Sequence, residues 1–172
     1  MPGHTPQTVP HLVPPGMLGP VTSRVFGYWA DLARSLDRLP SRRDVDPFAL
    51  AKHAPEAIPH LWLLDVERDP WRFRLRLIGG ALKSAGSPGR PGDYLDGVDR
   101  SGEVARCLQE VCVSLRPDVR RGRPVLPHHD DIEELEVLYL PLAADGNTAD
   151  GVLCCTDYRW REGCRPAYPR YW

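Results

Sequence analysis

The sequence predicts an α+β domain: a five-stranded antiparallel sheet with helices on one face and an extra amphipathic helix at the N-terminal end. Three observations carry this expectation. Residues 61–66 and 71–78 read as a hairpin whose alternation sorts nearly every apolar residue to one side. One clear helical stripe follows at 101–115. Three strand-like runs, at about 118–126, 134–142 and 151–158, then finish the chain with no helix between them.

Length and charge limit the classes open to it. A chain of 172 residues suits one domain with extensions and can bury a real core. With 22 basic against 23 acidic residues, it carries no bulk attraction for nucleic acid or an anionic membrane, and neither partner is expected. The five cysteines are odd in number and lack paired C-x-x-C spacing, so neither a disulfide framework nor a zinc ribbon is expected. A reducing, cytoplasmic setting fits that usage. The first residues lack the basic and apolar regions of a signal peptide. No stretch approaches the roughly 18 apolar residues of a membrane span.

The elements follow in order. Residues 1–21, with six prolines in the first 20, are expected to form a disordered arm. A helical extension occupies 22–59. Thr22 or Ser23 can cap its first helix, and Val25, Trp29, Leu32, Leu36 and Leu39 recur at spacings of four, three, four and three. The stripe has two readings, packing on this chain's own core or on a second copy. The second makes Val25, Trp29, Leu32 and Leu36 candidates for a homodimer interface. Pro40 ends the helix, and "SRRDV" forms a charged joint. Asp46 then caps a short helix that starts at Pro47, where no N–H donor is needed.

The main domain is expected over 60–160. Pairing its first two strands across the turn 67–70 sets Asp65 against Arg72, Leu63 against Arg74 and Leu61 against Arg76. Trp62, Leu64, Val66, Trp71, Phe73, Leu75 and Leu77 then share the other face. The stripe Arg72, Arg74, Arg76 reads as an anion site or as a solvated or helix-covered face, and alternation favours the second. Aromatic and basic residues interleave here, but on opposite faces, which argues against base stacking. Residues 80–99 allow only short helical turns, and they lack the G-x-x-x-x-G-K-[ST] pattern of a phosphate loop. Ser101 or Asp99 caps the long helix, whose stripe is Val104, Leu108, Val111 and Leu115. The last run, "GVLCCTDYR", has no polar residue before Thr156, as expected inside a sheet. Residues 161–172 form a tail.

Few residues offer chemistry. "HHDD" (His128, His129, Asp130, Asp131) is the one His/carboxylate cluster, and a small metal-dependent enzyme built on it is the alternative reading. Adjacent ligands on a loop make a poor metal site, so no metal is expected. No G-x-S-x-G elbow and no cysteine motif beside a histidine occurs, so no catalytic residue is assigned. A small ligand is better placed between the long helix and the inner sheet face. Trp62, Leu64, Phe73, Leu75, Leu108, Val111, Val137 and Tyr139 are the candidate lining.

The element order, with "LPSRRDVDPFAL", "IPHLWLLDVERDPWRFRLRLIGGAL" and "GDYLDGV", resembles a PAS domain, in particular the short stand-alone PAS proteins of alphaproteobacteria with an LPxRxDxDP motif. The resemblance covers about 25–158 and is strongest at 39–80. It implies a non-catalytic sensory and interaction module that signals through contact with another protein. The chain departs from that pattern at Gly80 and in "SAGSPGRPGDY", on the pocket side. The cofactor stays unknown. Flavin adducts in PAS photoreceptors need a cysteine before the long helix, yet residues 1–106 hold none; histidine-ligated haem needs a histidine near that helix, and 99–117 hold none.

Overall fold

The computed structural model of the chain describes residues 17–87 and 89–166. Most of the expected arm (1–16) and the end of the tail (167–172) lie outside the described residues. Five strands form one antiparallel sheet: β1 (Leu61–Glu67), β2 (Arg72–Ile78), β3 (Asp118–Gly122), β4 (Ile132–Leu142) and β5 (Gly151–Trp160), in the order β2-β1-β5-β4-β3. Four helices accompany them: α1 (Pro20–Leu36), α2 (Pro47–His53), α3 (Gly80–Ser84) and α4 (Glu103–Ser114). Two 3-10 turns lie at Pro55–His60 and Leu95–Gly97. Among the described residues no helix is long and apolar enough to cross a membrane.

The hairpin forms with a shifted register. Glu67 pairs with Arg72 and Asp65 with Arg74, two residues beyond the expected partner, because the turn is 68–71 rather than 67–70. A shift of two keeps every side chain on its face. A bulge then moves the partner of Leu63 to Leu77, leaving Arg76 unpaired. Past the bulge the alternation inverts. Leu77, expected inside, is 47% exposed, and Ile78 takes the buried place. At the end of β2, Gly79 sits where a Cβ would come within 2.1 Å of the Pro59 carbonyl oxygen, so only glycine fits.

Helices cover both faces of the sheet, which corrects the expectation of one covered face. On the first face, α3, α4 and the Leu95 turn pack with Trp62, Leu64, Phe73, Leu75, Val137 and Tyr139. On the second, Val25 and Trp29 of α1 and Leu50 of α2 pack on Leu61, Leu138, Leu140, Leu142, Leu153 and Cys155. The cause lies in the central strands: β4 from Val137 and β5 through Thr156 are buried on both sides, and each side needs a cover. Trp29 also donates its indole N–H to the Pro141 carbonyl at 3.1 Å. Residues 22–59 thus share a core with the sheet. Val25 and Trp29 are out of reach of a second copy, and of the four interface candidates only Leu32 and Leu36 stay half-buried at the surface.

Helix ends follow side-chain chemistry, with one correction. Helix α1 starts at Pro20 with Gly19 as its cap, ahead of the expected Thr22 or Ser23. Thr22 is buried instead, and its hydroxyl donates to the Glu136 carboxylate on β4, which also accepts from the Gly19 N–H at 2.9 Å and pairs with Arg121. At α2, Asp46 accepts from the Phe48 N–H at 2.9 Å. At α4, Ser101 accepts from Glu103 N–H and Asp99 from Ala105 N–H, so both expected cap residues serve the first turn.

The joint at 40–46 is held by Asp44. Its carboxylate accepts from Arg38 at 2.9 Å and from the backbone N–H and hydroxyl of Ser41, both at 2.7 Å. The Arg38 guanidinium first, and the Ser41 bonds next, hold the Asp44 carboxyl down at about 2.

Candidate functional site

A cavity lies between the first face of the sheet, α3 and α4, under the loop from β3 to β4. Its free volume is about 50 Å³. That is room for water-sized or very small occupants, against the roughly 300–1,000 Å³ of a drug-sized ligand site. Alternation on β1, β2 and β4 supplies Trp62, Leu75, Val137 and Tyr139; the helical side supplies Leu82, Leu95 and Val104. The loop supplies Pro124 to His128 as a roof.

Of the eight residues assigned to a pocket, the structure gathers all in one core, but only Trp62, Leu75, Val137 and Tyr139 touch the cavity. Leu64, Phe73, Leu108 and Val111 sit in the solid part of that core. Sequence reasoning missed the whole roof, Arg120, and the helical and strand-end lining that includes Ile78, Leu82, Leu95, Val104 and Tyr158. The strand expected over about 118–126 ends at Gly122; from Arg123 the chain leaves the ladder, where Pro124 has no N–H to donate, and folds over the cavity.

A backbone bond fastens the far end of the roof. His129 donates its backbone N–H to the Ala85 carbonyl at 2.8 Å, joining the loop to the end of α3. Gly86, next to it, has φ +80, and a Cβ there would lie 3.2 Å from the His129 nitrogen. Both facts favour glycine. The His128 ring nitrogen Nδ1 meets the Leu126 carbonyl at 2.9 Å within the same loop.

Polar groups at the cavity are few and largely engaged. Trp62 donates its indole N–H to the Thr156 hydroxyl at 2.9 Å. Arg120 reaches from β3 to Glu103 of α4 at 2.9 Å and to the Arg123 carbonyl at 3.0 Å, linking strand, helix and loop. Burial pushes the Tyr139 phenol well above its usual range, so it remains a neutral hydroxyl. The thiols are equally quiet. Burial pushes Cys112 up to about 12, and it pushes Cys107, Cys154 and Cys155 upward as well. A buried thiol held protonated is a small apolar residue and a poor nucleophile.

The side chains of the His128–Asp131 cluster are engaged with different partners. His128 belongs to the roof, the His129 ring lies 6.5 Å from the Trp160 ring, and Asp131 pairs with Arg161 at 3.3 Å. Among the described residues no group of three or more His, Cys, Asp or Glu side chains is placed to hold a metal. No protein-family model, curated protein or solved structure matches the chain.

Proposed function

We propose that this chain is a non-catalytic, PAS-type sensory and interaction module, which receives a small apolar ligand under the β3–β4 loop and signals through contact with another protein. The observation that carries the reading is the cavity itself. It is walled by apolar side chains, it lies between α4 and the sheet, and it is roofed by a loop fastened through the His129–Ala85 backbone bond. The element order supports it: two strands, short helices, one longer helix and a three-stranded meander form the PAS sequence of elements. Its small volume restricts the closed site to occupants of a few heavy atoms, and anything larger enters only when the roof lifts. Among the described residues no cysteine lines it, and the thiols elsewhere in the same core are buried and held protonated, which favours binding over covalent chemistry.

Xenon, which occupies dry apolar cavities, tests the reading. Under xenon pressure, NMR resonances of Trp62, Leu75, Val137 and Tyr139 are expected to shift together, and Val137→Phe is expected to abolish the response while the protein stays folded. Native mass spectrometry of freshly purified protein reports any small molecule carried along, and the same substitution should release it. Resonances that ignore xenon, in a protein of bare mass, overturn the ligand part of the reading.

A further inference from the structure

We propose that a second site, independent of the cavity, binds a compact, multiply charged oxyanion of the phosphate class in an arginine-lined groove on the other side of the β1–β2 hairpin. Two stretches that are far apart in sequence meet there. Arg42 and Arg43 come from the joint between α1 and α2, and Arg74 and Arg76 come from β2. The groove has a volume of about 620 Å³ and is completed by Ser41, Asp65 and the loop before β5.

Three guanidinium groups converge on one carboxylate. Asp65 accepts from Arg42 at 2.7 Å through one oxygen, and its other oxygen lies 3.3 Å from Arg74 and 3.4 Å from Arg76. One negative charge faces three positive ones at that point. Arg43 is exposed and forms no hydrogen bond or ion pair among the described residues. The other carboxylates of the groove are engaged elsewhere: Glu67 accepts from the Tyr94 hydroxyl at 2.9 Å, and Asp150 from the Ala144 N–H at 3.2 Å. Around the lining, four arginines therefore face three carboxylates.

The donors are also underused. Each guanidinium carries five N–H donors in a planar fork, and Arg42, Arg74 and Arg76 direct only a few of theirs at Asp65. The Arg74 Nε is shielded from solvent and makes no hydrogen bond, with Glu67 Oε1 beyond reach at 4.0 Å. Convergence on a single point favours a compact dianion, since an extended acidic peptide needs its cations strung out in a row. Asp65 then acts as a positioning residue that holds the forks toward the groove.

Isothermal titration of the full chain with pyrophosphate at low ionic strength tests the site. Parallel arms use inorganic phosphate, citrate, a polyglutamate peptide, and a nucleoside monophosphate beside its unphosphorylated nucleoside. Pyrophosphate is expected to bind, to weaken as salt is raised, and to lose at least about tenfold in affinity in Arg43→Ala, equal to about 1.4 kcal/mol. Because Arg43 has no partner to lose, that variant should keep the wild-type melting temperature. Arg76→Gln is the second variant and should weaken binding similarly, while Arg34→Ala on α1 should leave it unchanged. If the nucleotide binds and the nucleoside does not, the phosphoryl group is the ligand. Absence of pyrophosphate binding at millimolar concentration overturns the proposal. So does undiminished binding in both Arg43→Ala and Arg76→Gln, or citrate, polyglutamate or the bare nucleoside binding as tightly as the phosphorylated probes.

Discussion

The two faces of the sheet are packed to different standards. Under α1 and α2 the core is made of Val25, Trp29, Leu50, Leu138, Leu140 and Leu142, with Ala54 and Ala57 letting the backbone come close. Under α3 and α4 the side chains are larger and include Trp62, Phe73 and Tyr139, yet a cavity of about 50 Å³ remains. Bulky aromatic groups on a curved sheet leave gaps that small aliphatic ones fill, and the loop rather than a helix closes the last gap. One face is therefore built for cohesion. The other keeps a small space at a cost in packing.

The contrast can be broken first at Trp29. Trp29→Ala removes the largest side chain of the α1 face and leaves the Pro141 carbonyl without its indole donor. A loss of about 3–5 kcal/mol is expected by denaturant titration, with the cavity's xenon response lost alongside the fold. A matched pair of enlargements sharpens the comparison. Ala54→Leu has no space to enter and should cost about 1–3 kcal/mol, whereas Val104→Ile adds one methylene toward the cavity and should stabilise by about 0.5 kcal/mol. Equal midpoint shifts in the two variants would show that the faces do not differ.

A further variant tests the pin between α1 and β4. Burial raises the Glu136 carboxyl, but the Thr22 hydroxyl, the Gly19 N–H and Arg121 outweigh it, and the net shift is downward from 4.5. A carboxyl lowered by folding stabilises fully above its unfolded value and ceases to do so as pH falls through the folded one. Glu136→Gln should therefore cost about 1 kcal/mol at neutral pH. It should also flatten that part of the acid limb below pH 4.5, with the cavity side unaffected in xenon experiments. An acid limb that is unchanged in the variant would assign the loss to other carboxylates.

Much of this was legible in the residues. The hairpin strands announced themselves through period-two alternation, β4 and β5 through continuous apolar runs, and α4 through a stripe with its capping Asp99 and Ser101. The register of the hairpin was not, because a slip of two residues leaves every face unchanged and so leaves no trace in the pattern. The bulge at Arg76 was hidden for a related reason: one extra residue is visible only once its partners are known. The cover over the second face was readable in principle. "LYLPL" and "GVLCC" are apolar at consecutive positions, which demands packing on both sides, and α1 was the free apolar stripe. For the cavity, the strand walls were predictable, but the roof was not. Loop placement depends on where β3 ends, and the His129–Ala85 and Arg120–Arg123 bonds that hold it have no sequence signature. An anion reading of Arg74 and Arg76 was available from the strand, but their meeting with Arg42 and Arg43 around Asp65 was not, because it depends on the fold.

The bonds that seat α1 have a consequence for how the chain is made. Gly19 and Thr22 reach Glu136, and Trp29 reaches Pro141, across sequence separations of 112 to 117 residues. On the ribosome, α1 emerges long before the strands that cover its apolar stripe. At roughly 5–20 residues per second, the stripe waits on the order of ten seconds for β4 and β5. Contacts of such long range also close slowly in an isolated chain. Both faces need β4 and β5, but α1 is made first and its apolar stripe waits longest, which makes the newborn helix a segment in need of a chaperone's shelter.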